Sequence, residues 1–359
     1  MIPAEYYQLA YIIIVILVGI PVILRYANYS IDRIDYVDNE PLAKSLLFTI
    51  FIILFVGLRQ NSPAFSDGPG YWAGIEDHRW EYESLEDVDY QFATKWLMST
   101  LSSLGIHPQI GFIVFSAIIF GGALIAMRKM FPRDTLLAMI MFCGAFGTFS
   151  GAVNGIKNGM ACSVFLCALA YKDNWKVCLF FLVISFGFHH SLELSIVAYI
   201  VCLFYKNTKV YSCVWIISLI LAILHVTYLQ TFFADFTDEH GASYLLTTDE
   251  NYWVPEFRLD FVAYSLAPIA LCWWISNRKE LQESYRFVFN VYLIMNSIWL
   301  LCMYAAYTNR IVSLSWSLFP VIILMPLLND KVADNQYKIL SWFAVGQLSF
   351  TLLMTILYL

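Results

Sequence analysis

Long apolar runs alternate with short polar connections along the whole chain, and twelve runs reach or approach membrane-spanning length. Their approximate bounds are 6–24, 42–58, 109–127, 135–153, 158–171, 177–189, 191–204, 210–231, 260–276, 287–305, 310–328 and 339–358. About 20 apolar residues in a helix cross a hydrocarbon layer roughly 30 Å thick, and a helix satisfies its own backbone polar groups there. The pattern predicts an all-α polytopic integral membrane protein with about 10–12 transmembrane helices. The fifth, sixth and seventh runs are short for a straight crossing, which predicts that they are broken, re-entrant or packed inside the bundle. Two connections are long and hydrophilic, 59–108 and 232–259, and are read as extracytoplasmic loops of a single integral domain, 1–359.

Composition agrees: 60% of residues are hydrophobic and 13% charged. Basic residues set the orientation, because cytoplasmic loops are enriched in Lys and Arg. Alternate loops hold Arg25, Arg33, Lys44, Arg128, Lys129, Arg133, Lys172, Lys176, Lys206, Lys209, Arg278, Lys279, Arg286, Lys331 and Lys338, fifteen of the twenty-one basic residues. The other loops, with six, are expected to face outward. Both termini then lie outside if all twelve runs cross. The first run has no Lys or Arg before its apolar core and reads as a helix rather than a cleaved signal. All eight cysteines fall within apolar runs, which suggests packing roles and neither a disulfide frame nor a zinc site. The net charge of −6 arises largely in 76–89 and 235–260, which argues against a nucleic-acid partner.

Candidate chemistry lies where the charge pattern breaks. Arg59 closes the second run, Lys157 lies between the fourth and fifth, Arg310 opens the eleventh and His189 ends the sixth, all on the expected outer face. Arg59 alone could be an interfacial anchor. However, Gly68, Pro69 and Gly70 predict a tight turn that carries Asp67, Tyr71 and Trp72 back toward it. An interfacial aromatic belt is the other reading of Tyr71 and Trp72. Asn154, Lys157 and Asn158 have helical spacing and are expected to share a polar face, and His189 is either a general base or a hydrogen-bonded packing residue. Leu85, Val88 and Phe92 fit one face of a surface helix. Around them, Glu81, Glu83, Glu86, Asp87 and Asp89 match no calcium-loop spacing, so no metal is expected. The segment Asp235 to His240 reads as a cap or solvated turn. Arg258 and Asp260 are placed to pair, and the short turn Tyr304 to Arg310, with Tyr307 in it, holds Arg310 close to the helix ends. Cations gathered at one membrane face beneath aromatic loops suit a lipid diphosphate, which guanidinium binds bidentately.

Four patches are similar to the EpsG-type branch of the Wzy-like O-antigen and exopolysaccharide polymerases: Gly57-Leu58-Arg59 followed by Asp67 and Tyr71; Asn154 to Ala161; Phe188-His189-His190-Ser191-Leu192; and Asn309-Arg310-Ile311 leading to Pro326. Lys157-Asn158 stands where an Arg-Gln pair is more typical, which keeps the charge without the bidentate geometry. The resemblance implies a GT-C-like glycosyltransferase of the bacterial cytoplasmic membrane with its site facing the exterior. It implies transfer of a growing glycan from undecaprenyl pyrophosphate to a lipid-linked repeat unit. On that reading Arg59, Lys157 and Arg310 hold the diphosphate, and His189 is the general base or orients the acceptor. Asp67 is its partner or an alternative base, and Tyr71, Trp72, Asn154 and Tyr307 contact sugar or lipid. The expected partners are an undecaprenyl-pyrophosphate-linked oligosaccharide, membrane lipid and a chain-length regulator, with no cofactor. Three rivals fit less of the pattern. A polytopic O-acyltransferase would need a cytoplasmic opening, and His225 is the only other histidine read as well inside a span. A lipid-sugar flippase should show two related halves, and none is found between 1–175 and 176–359. A purely structural membrane subunit is the third.

Overall fold

The computed structural model describes residues 2–36, 38–77, 91–230, 256–306 and 308–359. Among them every predicted run is helical and no strand occurs. Five helices are long and apolar enough to cross a membrane: Ala4–Ala27, Pro108–Met130, Leu259–Ser276, Thr308–Asn329 and Gln336–Leu357. Five shorter apolar helices accompany them, including the three expected to be short.

In chain order the helices are α1 (Tyr7–Ala27), α2 (Leu42–Gly57), α3 (Gly68–Glu76), α4 (Phe92–Ser103), α5 (Pro108–Ser116), α6 (Gly122–Met130), α7 (Thr135–Cys143), α8 (Thr148–Val153) and α9 (Ile156–Ala170). Then follow α10 (Trp175–Phe188), α11 (Leu192–Phe204), α12 (Thr208–Ile223), α13 (Leu259–Ser276), α14 (Glu283–Leu301), α15 (Thr308–Trp316), α16 (Phe319–Asn329) and α17 (Gln336–Leu357). A π-helical turn, Ala117–Gly121, joins α5 to α6 without interrupting the run.

Several expectations from the pattern are corrected. The run 135–153 is two helices, because Gly147 takes φ 93°, a conformation that ends the helix and that residues with a Cβ avoid. The run 210–231 stops at Ile223, so His225, with φ 56°, lies beyond the helix end rather than inside a span. Gly68, Pro69 and Gly70 are not a turn but the start of α3, where proline's missing N–H costs nothing and its fixed φ suits a first helical turn. Asn154 is not on one helical face with Lys157; it sits in the joint between α8 and α9. Leu85, Val88 and the acidic cluster Glu81 to Asp89 lie outside the described residues, as does Asp235 to His240.

The chain forms two compact units, residues 1–192 with 323–359, and residues 193–322. In the first, α1 packs along α17: Ser341 Oγ donates to the Ile23 carbonyl at 3.1 Å and Gln8 Nε2 to Thr355 Oγ1 at 3.2 Å. The α7–α8 break frees carbonyls inside the bundle, and each finds a side-chain donor. Gln347 Nε2 donates to the Met141 carbonyl (2.6 Å), Thr148 Oγ1 to Phe142 (2.9 Å), Tyr11 Oη to Cys143 (2.9 Å) and Thr351 Oγ1 to Gly144 (2.9 Å). At the end rich in Arg and Lys, buried Arg33 pairs with Asp134 at 2.6 Å and lies against the rings of Tyr26 and Tyr29. Arg128 Nη1 donates to the Glu40 carbonyl at 2.6 Å, and Glu40 Oε2 accepts from the Leu136 N–H at 2.8 Å.

The second unit is tied by buried polar contacts between helices. Asn296 on α14 accepts from Trp215 Nε1 of α12 at 2.7 Å and donates to Ser265 Oγ of α13 and Ser315 Oγ of α15, both at 3.0 Å. Trp316 Nε1 donates to the same Ser265 hydroxyl at 2.9 Å. The predicted Arg258–Asp260 pair forms as a fork, with Nε to Oδ1 at 2.9 Å and Nη2 to Oδ2 at 2.6 Å. Seven of the eight cysteines are buried and all are free thiols, consistent with packing.

Candidate functional site

The segment after α2 builds the first half of the site. Gly57 lets α2 cross α5 almost backbone to backbone, since a Cβ there would lie 2.7 Å from Ile113 Cα. Gln109, in the first turn of α5, then reaches across to donate to the carbonyls of Gly57 (2.6 Å) and Arg59 (3.1 Å), which fixes the Arg59 backbone. The Arg59 side chain is only 3% exposed. Its Nη1 donates to the Val56 carbonyl at 3.0 Å, its Cζ lies 4.3 Å from the Phe112 ring centroid and 5.7 Å from that of Phe65, and its Nη2 has no hydrogen-bond partner. With Gln60, Asn61, Ser62, Phe65, Gly68 and Phe112 it lines a small pocket, about 10 Å³ in volume. Lying beyond the end of α2, the guanidinium is pushed by burial below its ordinary range, to about 10, and stays charged at neutral pH. A buried cation with an unused donor and no paired carboxylate among the described residues is suited to receive an anion.

The second half gathers around Lys157 and the end of α10. Close packing of α9 on α8 depends on Gly159, whose Cβ would lie 2.3 Å from the Gly151 carbonyl oxygen. Helix α4 clamps the end of α10: Thr94 Oγ1 donates to the Phe188 carbonyl at 2.8 Å, and the Phe92 ring fills the space a side chain at Gly187 would need. Gln91, capping α4, thereby sits between Lys157 and the histidines. Lys157 Nζ donates to Gln91 Oε1 at 2.7 Å, and Gln91 Nε2 lies 3.5 Å from His190 Nδ1. His189 Nδ1 accepts from the Ser191 N–H at 3.1 Å, and the two imidazoles stack with centroids 5.1 Å apart. Asn154 Oδ1 is buried without a partner in the joint that precedes α9.

Helices α3 and α4 pack on each other, α3 against α5 and α4 against α10, so one layer covers both clusters. Asp67 precedes α3 on the arginine side and accepts from Ser66 Oγ at 3.3 Å. Tyr71 is buried edge-on against Phe115, whereas half-buried Trp72 stacks on Phe112 with centroids 6.0 Å apart and donates to Glu76. Arg310 belongs to the second unit, half-buried in the first turn of α15 with its carbonyl accepting from Ser313 Oγ at 2.7 Å. Tyr307 lies outside the described residues. Sequence reasoning missed Gln91, Gln109 and Phe112. Gln91 lies 66 residues from Lys157 in a polar stretch, and only its place just before a helix could have hinted at it.

With this geometry in view, the family comparison bears directly on the site: the model of the EpsG family matches residues 44–359. The chain belongs to the EpsG family. The match begins inside α2, so Arg59, the Lys157 cluster and Arg310 all fall within it. Membership of the EpsG family points to a polysaccharide-polymerase-like role in a multi-pass membrane protein. No curated protein matches the chain, and no solved structure matches it.

Proposed function

We propose that this chain is a glycan polymerase of the bacterial cytoplasmic membrane. It transfers a growing glycan from undecaprenyl pyrophosphate to a sugar hydroxyl of a lipid-linked repeat unit on the outer face. The observation that carries this reading is the buried Arg59 guanidinium, lining a cavity with one N–H group unpartnered, in a chain of the EpsG family.

The donor carries its own leaving group, so the protein's task is to hold two lipids and stabilise the departing diphosphate. In this reading Arg59 and Lys157 neutralise phosphate charge and the histidine pair meets the reacting oxygens. Asp67 and Asn154 orient polar groups of the sugars, and Trp72 gives an apolar face to sugar or lipid. Support for Arg59 is its unpartnered Nη2, and support for the histidines is the tie of His190 to Lys157 through Gln91 and the stacking of His189 on His190. The test is to incubate the purified protein in lipid nanodiscs with an undecaprenyl-pyrophosphate-linked repeat unit. A ladder of longer glycans is expected, together with free undecaprenyl pyrophosphate; lipid-linked substrate that stays at one repeat overturns the reading.

A further inference from the structure

Leu58 and Arg59 stand where a left-handed glycine commonly closes a helix, so the last carbonyls of α2 take donors from elsewhere in the unit. The Leu54 carbonyl accepts from the Leu58 N–H at 2.9 Å, and that of Phe55 from Tyr7 Oη of α1. The Val56 carbonyl accepts twice from one residue, from the Arg59 N–H at 3.4 Å and from Arg59 Nη1 at 3.0 Å. Gln109 serves the carbonyls of Gly57 and of Arg59 itself, with its Nε2 at 2.6 and 3.1 Å. Both partners only accept, so the NH₂ of the amide faces them, one hydrogen for each. The guanidinium end of Arg59 is thus tied to Val56 and its backbone end to Gln109. Phe112, one turn after Gln109 on the same face of α5, lies against the guanidinium with its ring centroid 4.3 Å from Cζ.

We propose that Gln109 is a positioning residue for Arg59: through the two carbonyls it holds, it fixes the arginine so that the buried, unpartnered Nη2 is in place before an anion arrives. The inference deepens the polymerase reading, on which it rests for the identity of that anion, the diphosphate. A free arginine side chain gives up much rotamer freedom when it is ordered. Here that freedom is given up on folding, and a donor set in advance needs no rearrangement when charge develops on the leaving oxygen. A plain helix cap would make the same two hydrogen bonds but would act on stability alone. Tyr7 separates the two roles, because its hydroxyl caps the same helix end with its hydrogen bond going to Phe55 and not to Arg59.

The test labels the full chain in lipid nanodiscs with phenylglyoxal, which reacts with accessible guanidinium groups, and reads each arginine by peptide mass spectrometry. Arg33, buried beyond the opposite end of α1, is the internal control. Gln109→Leu removes both donors at similar size. It should raise Arg59 labelling at least about fivefold with Arg33 unchanged. Elongation should fall by about 10–100-fold, since a misplacement of about 1 Å costs up to about 10²-fold. Tyr7→Phe leaves the Phe55 carbonyl without its donor, so it should lower the unfolding temperature yet keep Arg59 labelling and elongation within about twofold of wild type. Should Gln109→Leu fail to accumulate, Gln109→Asn keeps the amide but is one methylene too short to serve both carbonyls, and should raise Arg59 labelling in the same selective way. Arg59 labelling that stays at the wild-type level in the Gln109 variant, rises together with that of Arg33, or rises equally in Tyr7→Phe makes Gln109 a helix cap and overturns the proposal. So does elongation at the wild-type rate in Gln109→Leu. Labelling is read without substrate. Selective exposure of Arg59 in Gln109→Leu, when the wild type never elongates, would therefore overturn the polymerase reading and leave the positioning role standing.

Discussion

Arg59 is held where it costs the fold. Burial pushes its guanidinium down to about 10, and at about 1.4 kcal/mol per pH unit a shift of that size is a net cost on the order of 3 kcal/mol to the charged form. The Phe112 face returns only about 0.5–2 kcal/mol. Arg59→Gln is therefore expected to unfold in detergent at a temperature no lower than wild type, read by intrinsic fluorescence, while elongation is lost; a structural anchor would give the opposite pair of results. Arg59→Lys tests the fork geometry separately: the charge stays but bidentate contact is lost. It should lower elongation by at least about tenfold, near 1.4 kcal/mol of transition-state stabilisation, at normal membrane abundance. The charged members of the candidate site stand out in the sequence because a cation or histidine at a helix end expected to face outward breaks the charge pattern. Their neighbours do not. Gln91, Gln109 and Phe112 are ordinary residues whose meaning lies in contacts with partners about 50 or more residues away, which no local pattern carries.

The helix break between α7 and α8 escapes hydropathy for a related reason: the residues through it are as apolar as the helices on either side, so run 135–153 reads as one span. What makes it tolerable is polar chemistry on other helices. Thr351→Val keeps the shape but leaves the Gly144 carbonyl unsatisfied, and a buried orphan acceptor costs about 1–3 kcal/mol. A fall in unfolding temperature is expected, and Gln347→Leu should do the same at Met141. Gly159→Ala acts on the same region without touching polarity: its methyl would meet the Gly151 carbonyl oxygen and force α9 away from α8, displacing Lys157. Elongation should fall with little change in membrane abundance. Similarly, Gly68-Pro69-Gly70 read as a turn because the same residues serve turns and helix starts; the choice was made by the packing of α3 on α5, a contact the sequence does not display.

Sidedness governs every functional statement made for the chain, and it rests on the fifteen-to-six division of basic residues. With exposed Cys213 replaced by Ser, single cysteines at Ser84 and Thr247 should react with an impermeant thiol reagent in intact spheroplasts, and one at Asp173 should not. The reverse labelling would move the site to the wrong face. Because cations and not acidic clusters make up the proposed diphosphate site, elongation should survive EDTA; full loss with rescue by a divalent ion would transfer the phosphate-binding role to a metal. The pairing of α1 with α17 also has a bearing on biogenesis. The donors that cap Met141 and Gly144 are encoded 206 and 207 residues after the carbonyls they serve, and Ser341 follows Ile23 by 318. At roughly 5–20 residues per second, the Met141 and Gly144 carbonyls of the broken helix wait on the order of ten to forty seconds before their donors are made, whereas those of Phe142 and Cys143 have theirs at once. Through that interval the open carbonyls need water or an insertion chaperone, which makes the nascent chain, rather than the finished protein, the form most exposed to membrane quality-control proteases.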